Sequence, residues 1–397
     1  MRTRRRRGQH RQRLRRGRAG RAHPAAGAGE RVITLTLAAG GESAPYHIGE
    51  GLLGQIPELL GAALEGRQAF VVTDTTVGPL YGSDVAERLA APCLELPAGE
   101  EHKRWPSVER IVRWLLAHEV ERSALLVAVG GGVVTDVVGF AAAVTLRGIG
   151  WAAIPTTLLA MVDAALGGKT GIDLDEGKNL IGAFWRPRAI VADTLALATL
   201  DQRQLHAGLA EVVKAAMIAP SSLEHVLDSH LAPVAAGDPL QALELVVGCA
   251  RVKSDVVSLD ERESGPRQAL NLGHTLAHGI EGATSYTRFL HGEAVAWGLL
   301  AELRLARDRG LLSTAEALAW ADRIHALAPL PSLAELSWDE IAPYIARDKK
   351  REGGRVGWVL PRLGGVVLDV SVSGVEAATV YAELQALPPE GPFSALF

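Results

Sequence analysis

Two histidines, His274 and His278, are separated by one helical turn, and a third, His291, follows after a loop-like segment. Residues at positions i and i+4 share one face of a helix, so the first two imidazoles can point into one cavity. A third imidazole and a carboxylate from elsewhere in the chain would complete a site for a divalent metal. The site is not that of a zinc protease, because the protease motif needs a glutamate where Thr275 stands.

A carboxylate suited to such a metal stands earlier in the chain, at Glu211. It precedes Lys214 by three residues, and on an exposed helix the two would form a surface ion pair of little energetic value. The residues around them are apolar on nearly every face, which predicts a buried helix. A buried carboxylate needs a cation or hydrogen-bond donors, and a metal ion meets that need.

Polar residues also lead up to the histidines. Glu263, Arg267 and Asn271 follow one another at intervals of four residues, and Pro266 stands near the start of the series. This spacing predicts a polar stripe along one helix, opened by the Gly-Pro pair, that forms one wall of the site. Lys253 lies in a valine-rich helix that precedes the stripe.

The elements that must position these residues differ between the two halves of the chain. The first half alternates short apolar runs with helical patterns, and this rhythm favours a parallel α/β sheet. After residue 200 the pattern is helical almost throughout, which places a domain boundary there. The predicted strands are 32–37, 69–73, 93–96, 124–129 and 150–154, and the predicted helices are 85–91, 105–118, 133–144 and 158–166.

The fourth predicted strand runs directly into three glycines, 130–132, and then into a helical pattern. Such a turn lets backbone N–H groups approach a pyrophosphate at the helix N-terminus, although a triple glycine can also be a tight turn alone. The dinucleotide fingerprint is incomplete, because Thr135 stands where its last glycine would be. Asp136 could cap the helix or hold a ribose hydroxyl. Asp74 could close a turn or make a ribose contact.

Two lysines, Lys169 and Lys178, lie in glycine-rich segments that we predict to be loops. The first segment is not a nucleotide-binding P-loop, because Asp163 occupies the position of the required first glycine. Lysines in such loops can bind phosphate as flexible point charges, or they can simply be solvated. The basic residues 347–351, which precede an apolar strand at 356–360, could supply a further lysine to an anion or form a solvated turn.

The length of 397 residues suits two domains, and the 48% apolar content is enough for sizeable cores. The two cysteines, Cys93 and Cys249, form no metal or redox motif. Together with the absence of a signal peptide, they predict a cytoplasmic protein. No apolar run is long enough to cross a membrane.

The charge is distributed unevenly. Residues 1–30 contain eleven arginines and one glutamate, whereas the remainder contains 30 basic and 44 acidic residues. The arginine-rich tail has almost no large apolar side chains and is predicted to be disordered. Its charge would allow a nucleic-acid contact, but a solvated extension or stray upstream translation is the favoured interpretation, so nucleic acid is an unfavoured partner. No apolar segment follows that would make it an export signal.

Eight motifs in sequence order resemble those of the 3-dehydroquinate synthases, within the superfamily of sugar-phosphate cyclases. The resemblance covers about residues 31–380. The motifs are Gly-Gly-Gly-Val-x-x-Asp-x-x-Gly-Phe (130–140), Pro-Thr-Thr-Leu-Leu (155–159), Val-Asp-x-x-x-Gly-Gly-Lys-Thr (162–170), Gly-Lys-Asn-x-Ile-Gly-Ala-Phe (177–184), Gly-Leu-Ala-Glu-Val-x-Lys (208–214), Leu-Asn-Leu-Gly-His-Thr (270–275), His-Gly-Glu-Ala-Val (291–295) and Asp-Lys-Lys (348–350).

The resemblance implies an α/β Rossmann-like N-terminal domain at 31–200 and an all-α metal- and substrate-binding domain at 201–397. It implies a homodimeric lyase with NAD and one zinc or cobalt ion. The implied reaction converts 3-deoxy-D-arabino-heptulosonate 7-phosphate into 3-dehydroquinate and phosphate, in the shikimate pathway. It proceeds by transient oxidation by NAD, elimination of phosphate, re-reduction and intramolecular aldol closure.

The resemblance also implies the site residues. The implied metal ligands are Glu211, His274 and His291. The implied NAD contacts are Asp74, Glu100, Lys103, Gly131, Gly132, Val133, Asp136, Thr156, Thr157, Leu159, Lys169, Lys178 and Thr199. The implied substrate and catalytic residues are Arg147, Asp163, Lys169, Asn179, Lys214, Lys253, Glu263, Arg267, Asn271, His278 and one or both of Lys349 and Lys350.

Their implied roles follow the chemistry of the substrate. Lys169, Asn179 and Arg147 hold the phosphate, and Arg147 does so across the subunit boundary. Arg267 and Lys253 hold the carboxylate, which a planar guanidinium fits well. The general acid and base is His278, with Glu263 nearby. The metal polarises the carbinol and ketone oxygens.

The sequence departs from the family pattern at two places. Thr135 replaces a glycine, and Leu276 and Ala277 replace a common Phe-Gly pair beside the metal histidine. The first departure resembles cyclases that make valiolone-type products, which are the main alternative. A metal-dependent polyol dehydrogenase is a further alternative, but it lacks the lysine- and arginine-rich phosphate pocket.

Overall fold

The structure is a computed structural model that describes residues 31–39, 42–263, 265–351 and 357–397. The side chains of residues 39 and 347–351 lie outside this description. The described chain contains eleven strands: β1 (Ile33–Ala39), β2 (Glu42–Gly49), β3 (Ala69–Asp74), β4 (Cys93–Leu96), β5 (Leu125–Gly130), β6 (Gly150–Pro155), β7 (Lys169–Leu174), β8 (Gly177–Phe184), β9 (Ile190–Asp193), β10 (Gly357–Arg362) and β11 (Gly365–Ser371).

The α-helices of the described chain are concentrated after residue 200. They are α1 (Ile56–Leu64), α2 (Ser83–Arg88), α3 (Trp105–Ala117), α4 (Gly132–Val144), α5 (Gln202–Ile218), α6 (Pro220–Ala235), α7 (Ala242–Leu259), α8 (His274–Ala283), α9 (His291–Asp308), α10 (Thr314–His325), α11 (Trp338–Arg351) and α12 (Gly374–Gln385). Short 3-10 or π turns connect several of them, including Glu100–His102, Ala160–Ala164, Thr194–Thr199 and Pro266–Asn271.

Seven strands form the main sheet, in the order β1-β2-β9-β6-β5-β3-β4. Every pairing from β2 to β4 is parallel, and only β1 joins antiparallel, at one edge. All residues of β5 and β6 are buried, as expected for central strands covered by helices on both faces. The predicted parallel α/β architecture is therefore confirmed.

The segments that contain Lys169 and Lys178 are not loops. They form a separate two-stranded antiparallel hairpin, β7-β8, in which Lys169 pairs with Phe184. The prediction of glycine-rich loops was wrong because some of these glycines serve a close strand pairing. A Cβ at Gly182 would lie 2.2 Å from the carbonyl oxygen of Thr170. The hairpin packs against α4 and carries both lysines, Lys169 on β7 and Lys178 on β8.

The second half is helical, as predicted, and the apolar strand predicted at 356–360 corresponds to β10 of the β10-β11 hairpin. The side chain of Asp201 accepts hydrogen bonds from the backbone N–H groups of Arg203 and Gln204, which caps α5. No helix in the described part of the chain is both long and apolar enough to cross a bilayer.

The prediction of one continuous helix for the polar stripe was wrong. Residues Pro266–Asn271 form a 3-10 helix, whereas α8 begins only at His274. Between them Gly273 adopts a left-handed conformation with φ of 80°, which breaks the helix. Glu263 precedes the 3-10 helix and has a positive φ of its own, 61°. The stripe is thus an angled wall made of two short helices and a turn.

Candidate functional site

The carboxyl ends of β3 and β5 lie side by side, because these strands pair in parallel with Val72 opposite Ala128. From β3 the chain proceeds outward to β4, and it then returns to place β5, β6 and β9 on the other side. This reversal of strand order is where parallel α/β sheets bind ligands. We call the cleft formed here by Asp74, Gly130–Gly132 and α4 the dinucleotide crevice.

The glycines of the crevice allow close approach rather than an unusual backbone conformation. None of the three has a positive φ. A Cβ at Gly131 would lie 2.9 Å from Cγ2 of Thr157, and one at Gly130 would lie 2.7 Å from Cβ of Val134. The departure at Thr135 is accommodated, since its side chain is buried and donates a 3.0 Å hydrogen bond to the carbonyl oxygen of Gly132.

Asp136 neither caps α4 nor stands free. Its Oδ2 forms a 2.6 Å ion pair with Nζ of Lys103, which also donates a 2.7 Å hydrogen bond to Oδ1 of Asn179. Burial raises the pKa of Asp136. Burial lowers the pKa of Lys103, but the carboxylates of Asp136 and Glu100 outweigh this effect and raise it. The crevice therefore contains a charged network that crosses from α4 to the β8 strand.

Some of the other expected NAD contacts form local hydrogen bonds, and others lie around the N-terminus of α4. Asp74 accepts 2.8 Å hydrogen bonds from the backbone of Thr76 and Val77, so it closes a turn at the end of β3. Thr199 lies 2.8 Å from the hydroxyl of Tyr81. Five further expected contacts follow β5 or β6 in the chain, around the N-terminus of α4. They are Gly132, Val133, Thr156, Thr157 and Leu159.

The metal-binding residues converge from α5, α8 and α9. Oε1 of Glu211 lies 3.8 Å from Nε2 of His274 and 3.4 Å from Nε2 of His291. One ligand atom from each residue lies within 4.8 Å of the others, and no other group of three such residues occurs in the described chain. We call Glu211, His274 and His291 the metal pocket.

Two glycines of α9 bring the three helices together. A Cβ at Gly292 would lie 1.8 Å from the carbonyl oxygen of Ala207 on α5. A Cβ at Gly298 would lie 1.8 Å from the carbonyl oxygen of Gly273, which immediately precedes α8. Any larger residue at either position would separate the ligand-bearing helices.

The ring nitrogens outside the metal pocket are anchored. Nδ1 of His274 lies 2.9 Å from the carbonyl oxygen of Leu272, which can only accept, so this nitrogen carries the proton. Nδ1 of His291 lies 3.4 Å from both carboxylate oxygens of Glu281. In both residues Nε2 therefore faces Glu211, with its lone pair available when the ring is neutral.

The chemistry of this donor set fits a divalent cation. Neither oxygen of the buried Glu211 receives a well-aligned hydrogen bond in the described chain, although Nζ of Lys214 lies 2.5 Å from Oε2. Burial and the charge of Lys214 lower the pKa of His274 to about 3, which keeps it a neutral ligand. Burial lowers the pKa of His291, but Glu281 and Glu211 raise it to about 10. A cation would replace that proton.

His278 lies beside the pocket but outside its ligand group. The centroids of its ring and of the His274 ring are 5.5 Å apart. This placement agrees with the expectation that only two of the three histidines bind the metal. Its role in proton transfer stays a prediction.

Positive groups line the side of the pocket that faces the sheet. Lys253 donates a 2.7 Å hydrogen bond to the carbonyl oxygen of Asp163 and pairs with its carboxylate. The buried Arg267 donates a 3.2 Å hydrogen bond to the carbonyl oxygen of Gly167. A Cβ at Gly167 would lie only 2.5 Å from Nη2 of Arg267. Burial lowers the pKa of both Lys253 and Arg267, because a charged group loses its hydration when it is buried.

Glu263 connects the hairpin to the polar wall. Its carboxylate pairs with Lys169 and accepts a 2.9 Å hydrogen bond from Nδ2 of Asn271. These three expected substrate residues are thus brought together. The structure does not bring Arg147 to them, because it is exposed on a separate turn and forms no described hydrogen bond or ion pair. The side chains of Lys349 and Lys350 lie outside the described part of the chain, so their expected contact stays a prediction.

Sequence reasoning missed two buried carboxylates. Glu281 lies 3.0 Å from Nζ of Lys178 and also contacts His291. Asp173 accepts a 2.8 Å hydrogen bond from the backbone of Asn179. A signal existed for Glu281, which follows His274 by seven residues and His278 by three, so all three share one helix face.

The family model for the 3-dehydroquinate synthase N-terminal domain matches residues 93–207, and that for the C-terminal domain matches 208–351. A 3-dehydroquinate synthase from Azotobacter vinelandii is 44% identical over 341 residues, which cover 84% of this chain and 92% of that protein.

Two solved structures are also similar. ValA, a 2-epi-5-epi-valiolone synthase from Streptomyces hygroscopicus with NAD+ and Zn2+ bound, is 31% identical with a TM-score of 0.78, covering 87% of this chain and 98% of its own. A 2-deoxy-scyllo-inosose synthase with carbaglucose-6-phosphate, NAD+ and Co2+ is 27% identical with a TM-score of 0.79, covering 88% and 99%. Taken with the metal pocket and the dinucleotide crevice, these matches establish that the chain belongs to the 3-dehydroquinate synthase family.

Proposed function

We propose that this chain is an NAD- and metal-dependent lyase that converts 3-deoxy-D-arabino-heptulosonate 7-phosphate into 3-dehydroquinate and phosphate. The observation that carries the proposal is the position of the metal pocket. Lys214 contacts Glu211 of the pocket, the buried Lys253 and Arg267 meet at Gly167, and the ring of His278 lies beside that of His274. A substrate with a carboxylate, a phosphate and a carbinol needs all of these partners at once.

The two cofactors have separate places in the described chain. NAD+ fits the dinucleotide crevice, with its pyrophosphate at the N-terminus of α4, and it would accept and return a hydride. A zinc or cobalt ion fits Glu211, His274 and His291, where it would act as a Lewis acid on a substrate oxygen. The similar cyclases with NAD+ and Zn2+ or Co2+ support both assignments.

Different side chains of the site bind different groups of the substrate. Arg267 and Lys253 hold the carboxylate, since both are buried and face the same cleft at Gly167. Lys169 and Asn179, from the two strands of the β7-β8 hairpin, hold the phosphate. Glu263 neutralises Lys169 before the anion arrives, so the lysine exchanges one anionic partner for another. His278 moves the protons.

We also propose a domain boundary, an oligomeric state and a cellular location. The chain divides near residue 200, and this is supported by the cap that Asp201 provides for α5. It forms a homodimer, in which the exposed Arg147, together with the exposed apolar Trp105 and Val144 nearby, meets the second copy. It acts in the cytoplasm, which agrees with the two free cysteines.

A second candidate is a valiolone-type cyclase, which acts on a sugar phosphate that lacks the carboxylate. The similarity to ValA and the threonine at position 135 favour it. The cations that we assign to the carboxylate, Arg267 and Lys253, argue against it, because a substrate without that group would offer no anion to these two buried cations.

The proposal is tested with the purified chain and two substrates, the heptulosonate 7-phosphate and sedoheptulose 7-phosphate. We expect phosphate release and 3-dehydroquinate from the first alone, loss of activity with a chelator, and recovery with zinc or cobalt. Turnover of sedoheptulose 7-phosphate alone would establish the second candidate instead. Net NADH formation from a polyol would indicate a dehydrogenase.

A further inference from the structure

Glu281 is a buried carboxylate that none of the roles above uses. It lies on α8, one and two turns after the site histidines, and its side chain is 1% exposed. One of its partners, His291, belongs to the metal pocket. The other, Lys178, also pairs with Glu100, whose charge acts on Lys103, the partner of Asp136 in the dinucleotide crevice.

The contact with His291 determines what that ring can do. Its Nδ1 lies 3.4 Å from each oxygen of Glu281, and its Nε2 lies 3.4 Å from Oε1 of Glu211. A carboxylate behind a histidine holds the proton on the near nitrogen, fixes the plane of the ring and strengthens the far nitrogen as a ligand.

The contact with Lys178 connects Glu281 to residues outside the metal pocket. Nζ of Lys178 lies 3.0 Å from Oε1 of Glu281 and 3.0 Å from Oε1 of Glu100. It also lies 5.0 Å from the centroid of the Tyr286 ring. The lysine is thus held by residues from α8, from the turn after it and from the segment before α3. Glu281 is thus shared between His291 and Lys178, so a shift of its carboxylate toward one partner weakens its contact with the other.

We propose that Glu281 is a positioning residue that couples the metal pocket to the dinucleotide crevice. This inference rests on the proposed function, because it takes His291 as a metal ligand and Lys178 as a cofactor contact. A divalent cation held by Glu211, His274 and His291 would add positive charge behind the ring and would draw the Glu281 carboxylate toward Nδ1 of His291. The carboxylate would then hold Lys178 less strongly and leave the lysine available to an anionic cofactor. Zinc and NAD+ therefore strengthen each other's binding, by the same factor in both directions.

Binding measurements test this coupling without any turnover. Zinc affinity is measured by competition with a chelating indicator, and NAD+ affinity by calorimetry with and without zinc. For the unmodified chain we expect zinc to tighten NAD+ binding about fivefold or more. Glu281→Gln should weaken zinc binding about 10- to 100-fold and leave the NAD+ affinity within about twofold with or without zinc.

Two further variants separate positioning from a general loss of structure. Lys178→Met removes only the far end of the link, so it should abolish the coupling while zinc affinity stays within about threefold of that of the unmodified chain. Glu101→Gln removes an exposed charge beside Glu100 and should leave both affinities and their coupling unchanged. The fold of each variant is checked by circular dichroism and thermal melting.

The proposal is overturned if Glu281→Gln binds zinc with unchanged affinity, or if zinc still tightens NAD+ binding in Lys178→Met. It is also overturned if the unmodified chain binds the two independently. If Glu281→Gln does not fold, Lys178→Met alone decides. A chain that couples zinc to NAD+ but releases no phosphate from the heptulosonate would refute the proposed function and leave this inference standing.

Discussion

The dinucleotide crevice and the metal pocket solve the problem of buried charge in different ways. In the crevice Asp136 is neutralised by Lys103, which is also bonded to Asn179. In the metal pocket Glu211 has one cation on Oε2, while its Oε1 faces two imidazole nitrogens that are oriented to bind. The buried carboxylate of the crevice is thus paired within the chain, whereas Oε1 of Glu211 would be paired with a bound cation. We infer that cofactor binding depends mainly on shape, and metal binding mainly on charge.

The largest effect should come from the pocket. We expect His274→Ala to lower kcat/KM about 1,000-fold, because a Lewis-acid metal contributes several kcal/mol and about 1.4 kcal/mol is tenfold in rate. The purified variant should contain no stoichiometric zinc, as measured by elemental analysis, and should still bind NAD+. The exposed His225 offers a matched control, since His225→Ala should keep both metal and activity. Full activity without metal would refute the assignment of the pocket.

The cations beside the pocket should have the next largest effect. Arg267→Lys preserves the charge but removes the fork that reaches the carbonyl oxygens of Gly167 and Glu261. We expect KM for the heptulosonate to rise about 10- to 100-fold, as for the loss of one or two hydrogen bonds to a charged group. Steady-state kinetics measures this change. Arg251→Lys on the exposed face of α7 is the control, and an equal rise in KM there would remove the assignment.

In the crevice, a substitution that adds only a methyl group should be enough to weaken NAD+ binding. In Gly131→Ala the new methyl group would lie 2.9 Å from Cγ2 of Thr157. Overpacking typically costs about 1–3 kcal/mol, so we expect calorimetry to show NAD+ affinity weakened about tenfold and zinc affinity unchanged. Gly54→Ala, where a Cβ would meet nothing within 4 Å, should change neither affinity. A loss of zinc from Gly131→Ala would contradict the separation between shape and charge.

The smallest expected effect comes from a third buried carboxyl group, that of Glu302. Glu302 on α9 is fully buried and accepts a hydrogen bond from the backbone of Gly273, and burial raises its pKa well above 4.5. Between pH 4.5 and its raised pKa, Glu302 loses its proton in the unfolded chain but keeps it in the folded chain. The free energy of unfolding therefore falls as the pH rises through this range.

Glu302→Gln cannot titrate. We therefore expect its melting temperature, relative to that of the unmodified chain, to rise by about 3 °C between pH 5 and pH 8. Scanning calorimetry at both pH values measures this difference. The exposed Glu87→Gln serves as the control and should show no such trend. Parallel melting temperatures for Glu302→Gln would mean that Glu302 is charged in the folded chain.

The elements were predictable where the signal is local. The strand predicted at 93–96 is Cys93–Leu96, and the helix predicted at 105–118 is Trp105–Ala117. The strand, glycine turn and helix around Gly131 follow from three adjacent signals in the sequence, namely apolar residues, glycine and then helical periodicity. The burial of α5 followed from apolar residues on all its faces.

The site was less predictable because it is assembled from distant segments. Spacing alone suggested three histidines around a metal and gave no means to exclude His278. Glu211 was connected to the metal only through the burial that its apolar surroundings predict. The resemblance supplied that division, and the geometry agrees with it. The continuous helix failed because one glycine, Gly273, can adopt a positive φ that periodicity does not reveal.

The most direct test of the account follows the hydride. The heptulosonate 7-phosphate is prepared with deuterium on the carbinol carbon that NAD+ oxidises, and the product is examined by mass spectrometry while absorbance at the NADH band is recorded. Because NAD+ accepts and returns the hydride within one turnover, the account predicts 3-dehydroquinate that keeps its deuterium, one phosphate per product and no accumulation of NADH. Product without deuterium, or NADH that accumulates in step with product, would contradict it.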